Sequence, residues 1–183
     1  MWIAYVAGAL VLVGLVWFFN SGVRLRHKTR EAFSGVDVQL KRRHDLVPNL
    51  VRVVQGYARH EQETLEEVVR LRGEASGASA LPERAARESG LRRALDGLMV
   101  LVERYPDLKA DANFRQLADD LVDVEDHLQY ARRYYNGTVR DYNTRMQQFP
   151  GTLLAPLFGF QPEDYFQLED GAARAAPSVS EGP

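Results

Sequence analysis

Hydrophobic positions along the chain predict one apolar segment followed by long amphipathic helices. Residues 2–19 carry no charge, and this run reaches the ~18–20 apolar residues that cross a hydrocarbon layer about 30 Å thick. From residue 33 onwards apolar side chains recur at alternating spacings of three and four, as in a helix buried along one coiled-coil face. We therefore expect a transmembrane anchor at residues 1–20 and a helical bundle at residues 21–160.

Turn-forming residues divide this bundle into helices. Pro48 predicts a kink or a break in the first helix, because proline lacks the backbone donor and disfavours helical geometry in the residue before it. Period-2 alternation and tandem repeats are absent from the sequence, so the predicted fold class is all-α. It is an N-terminal transmembrane helix followed by an antiparallel bundle of three long helices plus a short C-terminal helix. The predicted helices span about 21–72, 82–105, 113–149 and 152–160.

The C-terminal residues 161–183 are rich in alanine, proline, serine and glycine towards their end. Such a composition offers too little apolar surface to offset the entropy lost on folding. We therefore expect a mostly disordered tail.

The charges beside the apolar segment predict its orientation. No basic residue precedes it, whereas four follow it against a single acidic residue, Glu31. The positive-inside rule then places the N-terminus outside and the bundle in the cytoplasm, in a single-pass arrangement. A cleaved secretory signal is the competing interpretation, but its basic n-region and small-residue cleavage site are missing. The basic residues expected to contact lipid headgroups are Arg24, Arg26, Lys28 and Arg30.

Composition excludes several classes of function. The chain has no cysteine, so disulfides, thiolate zinc sites, iron–sulfur clusters and a cysteine nucleophile are excluded. Its formal net charge of −2 is far from the basic excess of a nucleic-acid-binding domain. We expect no nucleic-acid partner, and neither the oligomeric state nor a cofactor is indicated by the sequence.

Two charged residues interrupt the apolar face of the first helix, namely Arg43 and Glu61. A buried charge is costly unless it is paired. Counting along antiparallel helices at ~1.5 Å per residue brings Arg43 near Glu103, Asp107 or Asp111, and brings Glu61 near Arg132. Structural ion pairs explain these residues better than a functional site does.

Metal-binding and catalytic motifs are weak in this sequence. None of the four histidines has the spacing of a di-iron bundle site, and no phosphate loop or nucleophile elbow is present. We therefore predict no catalytic, metal or cofactor residues and no enzymatic activity. An alternative from another class is a bundle that senses a small ligand or metal near Glu61, Arg132 and Tyr135.

Several motifs together resemble the LemA family of bacterial membrane-anchored proteins. The strongest is QLKRRHDLVPNLV at residues 39–51, followed by GYA at 56–58 with Glu61 and by ExYPxLKA at 103–110. The remaining matches are NF at 113–114, Glu125, AR at 131–132, YN at 135–136 and again at 142–143, and FP at 149–150. This resemblance covers most of residues 20–160.

The resemblance implies an N-terminal anchor in a bacterial inner membrane followed by a helical bundle, with an accessory or scaffold role and no established catalytic residues. On the same count of helix heights, the two segments with the densest motifs of this resemblance, Lys41–Asn49 and Glu103–Phe114, meet at the membrane-proximal end of the bundle. We therefore expect the exposed members of this region to contact an unidentified protein partner, which could itself be membrane-bound. The predicted partner surface consists of Lys41, Arg42, His44, Asp45 and Asn49.

Overall fold

Helices account for nearly all of the chain in the computed structural model, which describes residues 1–78 and 80–167. No strand occurs within these residues, in agreement with the predicted all-α class. The helices are α1 (Trp2–Tyr57), α2 (Gln62–Gly77), α3 (Leu81–Val102), α4 (Pro106–Ala110), α5 (Ala112–Gln147) and α6 (Gly151–Leu157).

Helix α1 contains 56 residues, which corresponds to a length of about 84 Å at 1.5 Å per residue. It passes through Pro48 without a break, and Val47 and Leu50 beside this proline are buried in a hydrophobic core. The break predicted at Pro48 is thus not observed. Packing of the flanking apolar residues offsets the one backbone hydrogen bond that proline cannot make.

The chain instead leaves the helix after Tyr57, so the prediction of one helix over residues 21–72 is wrong. Residues 58–61 form a turn, in which the Glu61 amide donates to the Ala58 carbonyl at 3.1 Å. Helix α2 then packs Leu65, Val68 and Ala75 into the same core as Val54. Burial of this second apolar face stabilises the turn, whereas a periodic pattern alone does not reveal it.

The remaining predicted helices lie close to the observed ones. Helices α3 and α5 begin and end within three residues of the predicted 82–105 and 113–149, and α6 replaces the predicted 152–160. The five-residue α4 was not predicted. Asp111 follows it and accepts a 2.9 Å hydrogen bond from the Phe114 amide, which is the geometry of an N-cap at the start of α5.

The chain forms two compact units, and α1 and α5 contribute residues to both. Unit 1 contains residues 1–42 and 123–165, and unit 2 contains, among the described residues, 43–122 and 166–167. One hydrophobic cluster of unit 1 is formed by Phe18, Tyr142, Met146, Ala155 and Phe160. A cluster in unit 2 is formed by residues of α1 to α5, including Val54, Val68, Leu98, Leu108 and Phe114.

Residues at the start of the predicted tail are bound to α5 in unit 1. The Tyr142 hydroxyl donates to the Gln161 carbonyl at 2.9 Å, and the Asn143 side chain exchanges two 2.9 Å hydrogen bonds with the Glu163 backbone. Polar side chains of α5 thus hold the backbone at the start of this tail, before the alanine-rich end on which the expectation of disorder rests. Residues 168–183 of that predicted tail lie outside the described residues.

Helix α1 begins with a segment that is long and apolar enough to cross a membrane. Its most apolar 18-residue window has a mean hydropathy of 2.2, and only 6% of that window is buried. Core helices of soluble proteins bury such residues, whereas this segment leaves them exposed. The observation agrees with a membrane-associated protein.

Candidate functional site

The strongest sequence motif surrounds a buried charged cluster in unit 2. Arg43 of α1 forms an ion pair with Glu88 of α3, and both side chains are fully buried. His44 Nε2 lies 3.0 Å from the other Glu88 oxygen. Its ring Nδ1 lies 3.1 Å from the Ser76 hydroxyl, and its carbonyl accepts a 2.7 Å hydrogen bond from Arg72 of α2. Three helices are therefore connected through two consecutive residues of α1.

The environment of Glu88 favours its charged form. Burial is the largest effect and opposes ionisation, but the His44 ring beside the carboxylate and the positive charge of Arg43 outweigh it. Together they lower the pKa of the Glu88 carboxyl below its ordinary value. A carboxylate held in this way acts as a fixed structural anion, because it has no proton to transfer near neutral pH.

The predicted ion pairs are wrong in their partners. Arg43 pairs with Glu88 rather than with Glu103, Asp107 or Asp111. Glu61 accepts hydrogen bonds from Arg104 and from the Tyr105 hydroxyl, both at 3.0 Å. Glu103 pairs with Lys109 instead. The predicted pairs assumed that the first helix turns back near Gly73. The chain instead reverses at residues 58–61, so every position that was matched by counting residues along the helices is displaced.

The predicted partner surface is exposed at four of its five positions. Lys41, Arg42, Asp45 and Asn49 are exposed. Arg42 also lies 3.6 Å from Asp123 within unit 1. His44 is buried in the charged cluster, so its assignment to this surface is wrong. It follows the buried Leu40 by four residues and precedes the buried Val47 by three, which is the spacing of an inward-facing position.

An open groove lies between the end of α1 and α2 in unit 2, with a volume of about 880 Å³. Val51, Leu65 and Val69 supply apolar surface to it, and Gln55 and Gly56 lie on the α1 side. Arg52 and Arg59 are exposed at its α1 edge. Arg70 on the α2 side is engaged by Glu67 and Glu74. The groove thus combines apolar surface with arginines and one carboxylate, Glu66.

Comparisons with known proteins place the motifs in a single family. The model of the LemA family matches residues 32–180, which is most of the chain. The chain belongs to the LemA family.

Curated relatives agree with this assignment. The chain is 26% identical to magnetosome protein MamQ 2 of Paramagnetospirillum magneticum, over 84% of this chain and 66% of the relative. It is 24% identical to magnetosome protein MamQ of Magnetospirillum gryphiswaldense, over 83% and 65%. It is 24% identical to protein LemA of Metamycoplasma hominis, over 76% and 67%. The chain thus spans about two thirds of the length of these relatives.

The LemA motifs acquire structural explanations from the contacts. Residues 39–51 supply Arg43 and His44 to the buried cluster, and Glu61 binds the tyrosine of the ExYP motif, Tyr105. Glu88 completes the cluster but was missed by sequence reasoning. It lies three residues before Leu91 and therefore on the same inward face of α3 as Leu91, Leu95 and Leu98. An acidic residue at an inward position was the available signal.

Two of the residues proposed for ligand binding in this LemA chain have partners within the protein. The Tyr135 hydroxyl donates to the Asp164 carbonyl at 2.8 Å, while Glu61 is engaged by Arg104 and Tyr105. No group of three or more potential metal ligands occurs within residues 1–78 and 80–167. His127 and Asp123 contact each other on one exposed helical turn.

The basic residues after the apolar segment differ in their environments. Arg26 pairs with Glu163 at 3.2 Å within unit 1 and is partly buried. Arg24, Lys28 and Arg30 are exposed to solvent on α1. Arg26 thus joins the segment after α6 to α1 through an ion pair. Arg24, Lys28 and Arg30 remain accessible to solvent.

Proposed function

We propose that this LemA protein is a non-enzymatic, membrane-anchored scaffold that binds a partner protein through the groove between α1 and α2. The observation that supports binding is the groove itself, because it combines apolar surface with the exposed guanidinium groups of Arg52 and Arg59. The structural roles of Arg43, His44 and Glu88 favour a scaffold over a catalyst, since their charges serve to join helices.

The proposed anchor is the exposed apolar part of α1, spanning the bacterial inner membrane once. The exposed basic residues Arg24, Lys28 and Arg30 follow it directly, so the positive-inside rule supports a cytoplasmic bundle with the N-terminus outside. Each basic side chain near an anionic leaflet contributes about 1 kcal/mol of attraction. These three residues are the proposed headgroup contacts, and Arg26 serves mainly to bind Glu163.

The proposed occupant of the groove is an amphipathic helical segment with acidic residues beside its apolar face. Val51, Leu65 and Val69 would accept its apolar side chains, as in helix-in-groove recognition. Arg52 donates to Asn49 at 3.3 Å, so Asn49 orients one of the two arginines. Lys41, Arg42 and Asp45, which are exposed earlier on α1, stay predicted partner contacts.

The three magnetosome relatives contribute only a family relationship to this proposal. Their names describe those proteins, and the sequence of this chain matches about two thirds of their length. We therefore propose the anchored LemA bundle for this chain and assign it no particular organelle.

Photo-crosslinking in native membranes tests this proposal. A photoreactive residue is placed at Gln55 in the groove, with a control probe at the exposed Val122 of α5. We expect one discrete protein to be captured from position 55 only, through a segment that peptide mapping identifies as acidic and amphipathic. Absence of capture, or capture through a basic segment, would contradict the proposal.

Matched variants make the result specific to the groove. Gly56 and Gly73 are both exposed, and neither has an atom within 4 Å of an added Cβ, but only Gly56 lines the groove. Gly56→Trp should block capture and Gly73→Trp should not. Arg52→Glu with Arg59→Glu should abolish it, whereas Arg93→Glu on the exposed side of α3 should leave it unchanged. Equal effects of the paired variants would overturn the assignment of the groove.

A further inference from the structure

A second apolar surface lies in unit 1, around α6. Phe149 lies two residues before this helix and is 81% exposed, and Leu153 and Leu157 are 64% and 78% exposed. Leu153 and Leu157 are four residues apart in a helix and so share one face. Residues 146–162 carry no charge. Large apolar side chains clustered in this way on a soluble surface are uncommon and indicate a binding surface.

The opposite side of the same segment is packed against the end of the proposed membrane span. The Phe158 ring lies 5.3 Å from the Phe19 ring between centroids, and the Phe160 ring lies 5.8 Å from it. Phe158 also lines a small apolar pocket with Leu15, Val16 and Phe19. These contacts fix α6 at the level of residues 15–22 of α1.

That level corresponds to the boundary between apolar and charged sequence. The uncharged run of α1 ends before Arg24, so a span over residues 2–19 places residues 15–22 where hydrocarbon meets the lipid headgroups. Arg145 of α5 lies over the Trp17 ring at 4.7 Å and over the Phe18 ring at 5.5 Å. Tryptophan and arginine are typical of this interfacial layer.

We propose that residues 149–158 form an interfacial membrane element beside the transmembrane segment, with Phe149, Leu153 and Leu157 inserted among the lipid acyl chains. The bilayer is the proposed occupant because α6 is continuous with the lipid-facing surface of α1 through Phe19 and Phe158. This inference rests on the proposed function, since it requires residues 2–19 to span the membrane. The chain would then contact the bilayer through two elements.

Site-directed spin labelling of the full chain tests this inference. The chain contains no cysteine, so a single introduced cysteine is labelled specifically. Single variants Leu153→Cys and Leu157→Cys receive a nitroxide label and are reconstituted in vesicles of phosphatidylcholine and phosphatidylglycerol. Relaxation enhancement is compared between oxygen, which partitions into lipid, and a water-soluble nickel complex. Leu10→Cys in the proposed span and Val122→Cys on α5 are the reference positions, and both native side chains are exposed.

We expect the labels at 153 and 157 to be accessible to oxygen and protected from nickel, at a depth shallower than position 10. Position 122 should show the opposite preference. Nickel accessibility at 153 and 157 together with protection at 10 would overturn the interfacial element but keep the anchor. Nickel accessibility at 10 as well would overturn the anchor itself. Spin–spin broadening at 153 or 157 would identify a second copy of the chain as the occupant and would also overturn the inference.

Discussion

Arg43 and Glu88 form an ion pair in which both side chains are completely removed from solvent. Removing one partner of a buried pair leaves the other charge uncompensated, which typically costs about 3–5 kcal/mol. We therefore expect Glu88→Leu to lower the free energy of unfolding of the full chain in detergent by about this amount. The measurement is denaturant unfolding followed by circular dichroism.

Two further variants make this prediction specific. The double variant Arg43→Met with Glu88→Leu should recover most of the loss, because it removes both charges and preserves apolar volume. Glu83→Gln, at a carboxylate of the same helix that is 53% exposed, should change the free energy by less than about 0.5 kcal/mol. A double variant as unstable as Glu88→Leu would show that the pair itself contributes the stability.

The same carboxylate predicts a pH dependence. Burial opposes the ionisation of Glu88, but the neighbouring His44 ring and the charge of Arg43 outweigh it, so the pKa of Glu88 is lower in the folded chain than its ordinary value. The resulting stabilisation is fully present above the unfolded pKa of about 4.3. It is lost progressively as the pH falls below that value and through the folded pKa. Unfolding measured at a series of pH values should show this decline, and Glu88→Gln should reduce its slope.

The fold was more accessible from sequence than the contacts were. Periodic apolar positions predicted α3 and α5 because each buries one continuous face, and the uncharged run predicted the start of α1. The reversal at residues 58–61 was missed because it contains no proline and continues the apolar period of Val54 into Leu65. Its position determines which residues face each other, so the pairing of Arg43 with Glu88 could not be counted from the predicted helices.

Exposure was predicted for five residues of the partner surface, and it is found for four of them but not for His44. The five consecutive polar residues 41–45 suggest a solvated surface. Because a helix repeats every 3.6 residues, however, part of any such run faces inward, and here these residues are Arg43 and His44. The groove between α1 and α2 was not predicted, because it exists only when α2 packs back beside α1. Its arginines, Arg52 and Arg59, have no motif of their own.

The Tyr57 hydroxyl donates a 3.0 Å hydrogen bond to Asp111, whose other oxygen accepts from the Phe114 amide. The hydrogen bond from the Phe114 amide has the largest effect on the pKa of Asp111, followed by the one from Tyr57, and both lower this pKa below its ordinary value. One carboxylate thus joins the end of α1 to the start of α5. We expect Asp111→Ala to lower the melting temperature more than Asp111→Asn does, because an asparagine oxygen still caps a helix.

A control at Tyr57 separates the two hydrogen bonds of Asp111. Tyr57→Phe removes only the interhelical bond, so combining it with Asp111→Ala should add little to the effect of Asp111→Ala alone. Additive decreases in the melting temperature would mean that the two side chains act independently and would contradict the proposed connection.

Tyr135 should ionise only under strongly alkaline conditions. Burial, followed by the nearby charges of Glu163 and Asp164, raises the pKa of Tyr135 to about 12. Its contribution to stability is present below the unfolded pKa of about 10 and is lost as the pH rises from there through 12. The difference in phenolate absorbance between the wild type and Tyr135→Phe should therefore appear near pH 12. A difference near pH 10 would show that the residues after α6 do not cover this ring.

Gly22 is a position where α1 closely approaches the segment after α6. An added Cβ would lie 2.8 Å from two ring atoms of Phe160 and 3.1 Å from the Met146 methyl group. Phe160 is buried in the core of unit 1, so its ring would have to move.

Gly35, in the same helix, has no atom within 4 Å of the corresponding point. Alanine gains about 1 kcal/mol of helix propensity over glycine at either position, whereas overpacking costs about 1–3 kcal/mol. We expect Gly35→Ala to stabilise the chain in detergent and Gly22→Ala to be less stable than Gly35→Ala by about 1–3 kcal/mol. Equal stabilisation by both variants would mean that Phe160 is not packed against Gly22 in the membrane protein.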